Sequence, residues 1–549
     1  MVFPSKGSEA VSVNEWVNKR FLLVDDFPSM RQMMRDMLRN IGVRYIDQAA
    51  SGSEAAAALG RTKYDVVLCD FNLGPGKNGQ QVLEEAKVRE LIGPTCIWVM
   101  VSAEKSVDSI MGAAEYQPDS YLIKPITENT LMSRLNRIWA KKQVFKQIAH
   151  TYDVKDYLKA VKLCDEKLAT DKIHALDLLR MKATLLEKAG EMDQACAVYE
   201  QVMTVREFPW AKAGIAKIRA ADGKLELARQ MLQEVVAENP HYLEAYDQLA
   251  DVQQRMGQFE EAEKVLLSAA KLSPNSVLRQ KNLGTVALKL GNAEAAEKAF
   301  RKSVSVGEHS VLATPESYYG LARVCGQKAD AKEALRVLSA VQDKFDTEET
   351  RVRAKVVEGL VYHESGDEIK ARKSGEELSQ LLATTGDLPD AETCLDMARL
   401  LFAVGVEGAP LDLLRDVVKN NHDNEQVLKD VQDIFEKASL GDQGAELVGS
   451  AKKEAGEMMN RGVILWKGGQ LDEAIEWMRA ARETMPSNLR VLLNFAQILI
   501  AAMQTNGYDA ELGAEAREVL MRAEKIAPNQ RRFAQLMEQL TVLTPAELA

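Results

Sequence analysis

At 549 residues, 46% of them hydrophobic and 28% charged, the chain is long enough for about three to four domains and too apolar to be disordered. Glycine and proline number only 33 and 15 and aromatics make up 6%, a composition that favours helix. Seventy Lys and Arg against 81 Asp and Glu leave a net charge of −11, which argues against a broad nucleic-acid surface.

Residues 1–19 carry Pro4, Glu9, Asn14 and Glu15 and no unbroken apolar core. They read as a flexible N-terminal segment rather than a signal peptide. From residue 20 to 142 short apolar runs alternate with helical patterns. Arg20–Asp26, Tyr64–Phe71, Thr95–Ser102 and Ser120–Pro125 are nearly continuous apolar runs, as expected of strands covered on both faces. Tyr45–Ala50 is a weaker fifth strand. Between them Ser29–Asn40 and Gly79–Ile92 have helical periodicity. Five βα units in so short a span predict an α/β, doubly wound parallel five-stranded sheet.

Beyond the sheet the strand signal vanishes. No Gly or Pro occurs from Ile126 to Ala189, so Thr127 to about His150 is expected to form one long helix leaving the first domain. The rest repeats itself. Ala228 and Pro240 are twelve apart, and so are Ala262/Pro274, Ala474/Pro486 and Ala516/Pro528. The alanines at 195, 228, 262 and 296 fall at steps of 33, 34 and 34, and Gly223, Gly257, Gly291 and Gly366 each stand five residues before such an alanine. This pattern resembles the tetratricopeptide repeat and implies an all-α solenoid from 143 to 549 with a protein-binding groove. Later steps drift to 38 and 37, and the stretch from about 375 to 460 is degenerate, with room for two hidden units. Roughly eight to ten units are expected.

The six cysteines lie far apart without a CxxC pair, which disfavours a disulfide framework and a zinc site. The longest apolar stretch, Val491–Met503, is interrupted by Asn494 and Gln497 and is too short to span a bilayer. A cytoplasmic protein without membrane insertion is expected.

Polar residues cluster where the strands end. Asp25 and Asp26 end the first, Asp70 nearly ends the third, Ser102 ends the fourth and Lys124 is near the end of the fifth. The carboxyl edge of an open α/β sheet is where a ligand site forms. Three carboxylates gathered there would repel unless a cation sat among them, and a hard divalent ion, Mg²⁺ above all, suits oxygen ligands. Lys124 adds a positive charge for an anionic oxygen and Ser102 a hydroxyl donor, which together describe a phosphoryl-acceptor site. Asp25 and Asp26 alone could merely cap a helix; their company with Asp70 and Lys124 favours the chemical role. Cys69 beside Asp70 has nothing near it to activate a thiolate and reads as core.

The segments Leu23–Leu38 (LVDDFPSMRQMMRDML), Leu68–Asn72 (LCDFN), Met100–Glu104 (MVSAE) and Tyr121–Pro125 (YLIKP) closely resemble the receiver domain of bacterial response regulators, in its chemotaxis-type form. The resemblance covers residues 20 to about 142. It implies that Asp70 is the phosphorylated residue, and that Asp25, Asp26, Asp70 and the backbone carbonyl of Asn72 hold Mg²⁺. It further implies that Ser102 and Lys124 bind phosphoryl oxygens, that Tyr121 is an aromatic switch, and that Asn72 and Glu104 set the lifetime of the acyl phosphate. The loop after Asn72 (LGPGKNG) is one residue longer than the family's usual form.

The expected function is a two-component response regulator whose repeats bind a protein under control of phosphorylation, with a histidine kinase or phosphotransfer protein as donor. It would be a signalling and binding protein rather than an enzyme acting on an external substrate. The alternative is a scaffold or phosphate sink whose repeats bind partners regardless of phosphorylation. Homodimerisation and the identity of the repeat partner are left open by the sequence.

Overall fold

The structure, a computed structural model, describes residues 15–103, 116–384, 389–406, 408–527 and 531–545. By its contacts the chain divides into two compact units, residues 1–186 with 193–317, and residues 187–192 with 318–549.

The first unit begins with a five-stranded sheet: β1 (Arg20–Val24), β2 (Tyr45–Ala49), β3 (Val66–Asp70), β4 (Ile97–Ser102) and β5 (Ser120–Ile123). All neighbours are parallel and the order is β2-β1-β3-β4-β5. β1 is buried after its first residue, and β3 and β4 are buried throughout, which explains their continuous apolar runs. β2 lies at the edge and buries only Ala49 fully, which is why its signal was weak. Helices α1 (Pro28–Asn40), α2 (Gly52–Arg61), α3 (Gly79–Val88) and α4 (Glu128–Val144) belong to the same domain. Met34 and Leu38 of α1 and Leu131 and Leu135 of α4 share one core with Phe21, Leu23 and Val99. Val82 and Leu83 of α3 join Leu22, Val67 and Trp98 in the other.

Two expectations need correction. The N-terminal segment was expected to be flexible to residue 19, but Trp16 is 1% exposed and packs edge-on against Phe21 and at a tilt against Trp139. Its indole donates to Asn136 Oδ1 (3.1 Å), and the Trp139 indole donates to Glu15 Oε2 (2.6 Å). Trp16 is therefore part of the receiver core and anchors residues 15–19 to it, because burying one indole outweighs the freedom of a short tail. The long helix expected from Thr127 to His150 is broken at Phe145, between α4 and a helix over Lys146–Asp153. Phe145 N bonds Lys142 O, three residues back, and the Phe145 side chain is buried. The turn is made by packing, with no breaker residue to announce it.

Helical hairpins follow through both units, and one backbone feature recurs. In most of them a residue with positive φ closes the first helix, and five positions later a small residue is buried in the second. Gly190, Gly223, Gly257, Gly291, Gly366 and Gly469 fill this slot, with φ between 74° and 81°. The alanines five residues on, from Ala195 to Ala474, are fully buried. Lys155, Ala329 and Ser439 occupy the same slot with φ of 60°, a conformation that costs a non-glycine residue. With Gly405, ten such slots occur among the described residues.

The slots at Gly405 and Ser439 are the two units hidden between Ala371 and Ala474; their buried partners are Pro410 and Gly444 rather than alanine. The pattern is obscured there because one helix, Gly441–Lys467, runs straight through the place where a proline turn would separate two units. Small residues also admit large ones. A Cβ on Gly284 would stand 2.7 Å from the Phe300 ring, and one on Gly462 would stand 2.4 Å from Met478 Sδ, sixteen residues on in both cases. The prolines are used alike: Tyr246 Oη donates to Pro240 O (3.1 Å), and 34 residues later Gln280 Nε2 donates to Pro274 O (3.0 Å). Among the described residues no helix is long and apolar enough to cross a membrane.

Candidate functional site

The carboxyl ends of β1, β3 and β5 bring four of the anticipated side chains together. Asp25 immediately follows β1, Asp70 is the last residue of β3, and Lys124 follows β5. Lys124 Nζ lies 2.8 Å from Asp25 Oδ2 and 2.6 Å from Asp70 Oδ2, so one ammonium bridges the two carboxylates. Asp25 is fully buried and Asp70 is 5% exposed. Asp25 also accepts from Phe27 N at Oδ1 (2.9 Å), and its backbone carbonyl takes the Arg31 guanidinium. These bonds fix the turn that leads into α1, whose first position is Pro28.

Electrostatics follow from that geometry. Burial pushes the Asp70 carboxyl above the ordinary carboxylate range, while the Lys124 ammonium pulls the other way. Burial works to lower the Lys124 pKa, but its two carboxylate partners prevail and hold it above the usual lysine value. The Cys69 thiol is pushed well up by burial and by Asp70 and Asp25, in keeping with an inert core position.

Ligand oxygens from Asp25, Asp26 and Asp70 lie within 4.8 Å of one another. Three carboxylates against one ammonium leave two negative charges unbalanced. Asp26 Oδ1 is buried and accepts no hydrogen bond among the described residues. A buried carboxylate oxygen without a donor is costly unless a cation takes the place of one. An all-oxygen set with two surplus charges fits a hard divalent cation such as Mg²⁺.

The remaining anticipated residues are placed as follows. Ser102 ends β4 and is 2% exposed; its carbonyl accepts from Lys124 N (2.8 Å), so β4 and β5 stay paired beside the cluster. Asn72 N donates to Asp70 Oδ1 (3.4 Å), and its side-chain oxygen accepts from Gly74 N (3.3 Å). Tyr121 sits in β5 opposite Met100 and packs, half-buried, on the core beneath α2 and α3. Glu104 lies outside the described residues.

Sequence reasoning missed the glycines that shape this edge. The lengthened loop turns through Gly74 and Gly76, both at positive φ. A Cβ on Gly79 would stand 2.0 Å from Asp70 O, so only glycine lets α3 start against the end of β3. The signal was visible as the Asn-Gly pair at 78–79, but the closeness of the backbone was not.

A family model described as a response regulator receiver domain matches residues 21–136, and two described as tetratricopeptide repeat match residues 219–283 and 282–306. The chain is 31% identical over 124 residues to the chemotaxis protein CheY-3 of Vibrio cholerae serotype O1, covering 23% of this chain and 94% of that protein. It is 30% identical over 122 residues to the chemotaxis protein CheY of Pseudomonas aeruginosa, covering 22% and 97%. Among solved structures, Vibrio cholerae CheY4 matches at 26% identity over 22% of this chain and 98% of that one, with a TM-score of 0.21. The chain belongs to the response-regulator receiver family, its receiver domain fused to a C-terminal helical region that carries tetratricopeptide repeats.

Proposed function

We propose that Asp70 accepts a phosphoryl group from a histidine kinase or phosphotransfer protein, and that this modification controls which protein the repeats hold. The observation that carries the reading is the Lys124 bridge between Asp25 and Asp70 beside an Asp26 oxygen left without a donor. In the transfer one Asp70 carboxylate oxygen attacks the phosphorus of a phosphohistidine. The O–P bond forms as the N–P bond breaks, and the electron pair returns to the histidine nitrogen. Lys124 and the Ser102 hydroxyl neutralise and orient the phosphoryl oxygens, so most of the barrier falls through positioning and charge compensation.

Asp25, Asp26, Asp70 and the Asn72 carbonyl would hold Mg²⁺, which when bound supplies further charge neutralisation at those oxygens. Tyr121 is assigned the switch role, and Asn72 with Glu104 the tuning of acyl-phosphate lifetime, on the strength of the family motif. The repeats, by their likeness to known protein-binding arrays, take a protein ligand. The test is labelling by a small phosphodonor such as acetyl phosphate with Mg²⁺, followed by phosphate-affinity electrophoresis. Wild type should be labelled and Asp70→Asn should not. Equal labelling of the two would remove Asp70 as the acceptor.

A further inference from the structure

Helix α3 carries three buried polar side chains where a receiver surface would ordinarily meet water: Gln80, Glu84 and Glu85 are each no more than 4% exposed. Glu85 is paired with Lys77 and with Arg89. Glu84 is different. Among the described residues it pairs with no cation, and it accepts instead from two hydroxyls, Tyr116 Oη at 2.7 Å and Ser310 Oγ. Ser310 belongs to the repeat region, 226 residues further along the chain and within the same compact unit. Ser310 is itself buried, and its Oγ also accepts from Leu312 N (3.0 Å), which holds the turn after the helix ending at Val306.

A second bond lies beside it. Gln81 Nε2 donates to Val306 O at 3.0 Å, across a separation of 225 residues. The same Gln81 amide closes the capping box of α3: its Oε1 accepts from Asn78 N (3.1 Å), and its backbone N donates to Asn78 Oδ1 (2.9 Å). One amide thus ties the first turn of α3 to the repeats. That first turn rests directly on the acceptor strand, since Gly79 N donates to Phe71 O (2.8 Å), one residue beyond Asp70. The polar path from the acceptor to the repeats is Asp70, Phe71, Gly79, Asn78–Gln81, Val306.

We infer that α3 and the 306–310 turn form a latch, through which the unmodified receiver holds the repeats in one arrangement and phosphorylation of Asp70 loosens that hold. This inference rests on Asp70 being the acceptor. The latch is built to be two-state. A buried carboxylate held by two hydroxyls, with no cation partner among the described residues, is stable only while both donors are in place, because losing one leaves a desolvated group short of a partner. A small shift of the 71–79 loop at the modified aspartate moves Gln81 and Glu84 together, and the turn at Ser310 must then stay or leave as a unit.

Linkage makes this testable at a distance. If phosphorylation weakens the latch, weakening the latch must favour the phosphorylated form by the same factor. Ser310 is in the repeats and touches none of Asp25, Asp26, Asp70 and Lys124. The experiment measures the affinity of full-length protein for beryllofluoride, an acyl-phosphate mimic, in saturating Mg²⁺, for wild type, Ser310→Ala and Gln81→Ala. Latch variants should bind beryllofluoride about fivefold or more tightly, the lower end of common allosteric couplings. Ser310→Thr, which keeps the hydroxyl, should restore the wild-type value, whereas a merely unfolded or loosened repeat would not be rescued. Unchanged affinity in both latch variants, with wild type binding normally, overturns the latch and leaves Asp70 as the acceptor. Failure of wild type to bind beryllofluoride at all overturns the acceptor and the latch with it.

Discussion

Asp26 makes the sharpest residue-scale demand. Its Oδ1 has no hydrogen-bond partner among the described residues, so its role is expected to lie with the divalent cation. Asp26→Ala should leave the fold intact and raise the Mg²⁺ concentration needed for half-maximal labelling of Asp70, as read by phosphate-affinity electrophoresis across an Mg²⁺ series. An unchanged Mg²⁺ requirement would contradict the assignment. Asp25, Asp26, Asp70 and Lys124 were legible in the sequence because strand ends can be read from apolar runs, and a parallel sheet gathers its carboxyl ends on one edge. Glu84 was not legible. Nothing in the sequence of α3 marks it, because its partner Ser310 is brought to it only by the folding of the repeats.

Among the elements, the hairpins answer to one recurring slot. Ala329 holds φ of 60° in the position that glycine fills in most repeats, and it is solvent-exposed, so its methyl group contributes no packing. A left-handed conformation costs a non-glycine residue roughly 1–2 kcal/mol, against about 0.5–1 kcal/mol of extra unfolded-state entropy for glycine. Ala329→Gly should therefore stabilise the protein by about 0.5–1 kcal/mol, and Gly291→Ala should destabilise it by a similar amount, as measured by thermal or urea unfolding. If both substitutions shift stability in the same direction, the slot is not the constraint argued here.

The buried alanine supplies an independent check. Ala262→Leu adds volume at a fully buried position and should cost about 1–3 kcal/mol, visible as a lowered urea midpoint. The 34-residue period was legible because the alanines at 195, 228, 262 and 296 fall at steps of 33, 34 and 34. The units at Gly405 and Ser439 were legible in number but not in position, since their buried partners are Pro410 and Gly444 and no proline divides the helix over Gly441–Lys467. The break at Phe145 was hidden for a related reason: packing, not a helix breaker, makes it.

For the whole molecule, the issue is how a change at Asp70 reaches the repeats. The first unit offers two routes, the polar path through α3 and the covalent path through α4, Phe145 and the helix over Lys146–Asp153. Phe145 and Ile148 are buried, so the second route is packed rather than loose. Two glycines inserted after Gln143 would place a flexible joint in it. Such a variant should still be labelled on Asp70, and the repeats should still respond to the label through the α3 path; loss of the response would place the signal on the covalent route.

The most direct measurement is amide hydrogen exchange of the full-length protein in Mg²⁺, with and without beryllofluoride, for wild type and Asp70→Asn. The account predicts that beryllofluoride speeds exchange in residues 302–317 and in α3 of wild type, and changes nothing in Asp70→Asn. A response in wild type confined to the loops around Asp70, with residues 302–317 unmoved, would contradict control of the repeats by the receiver.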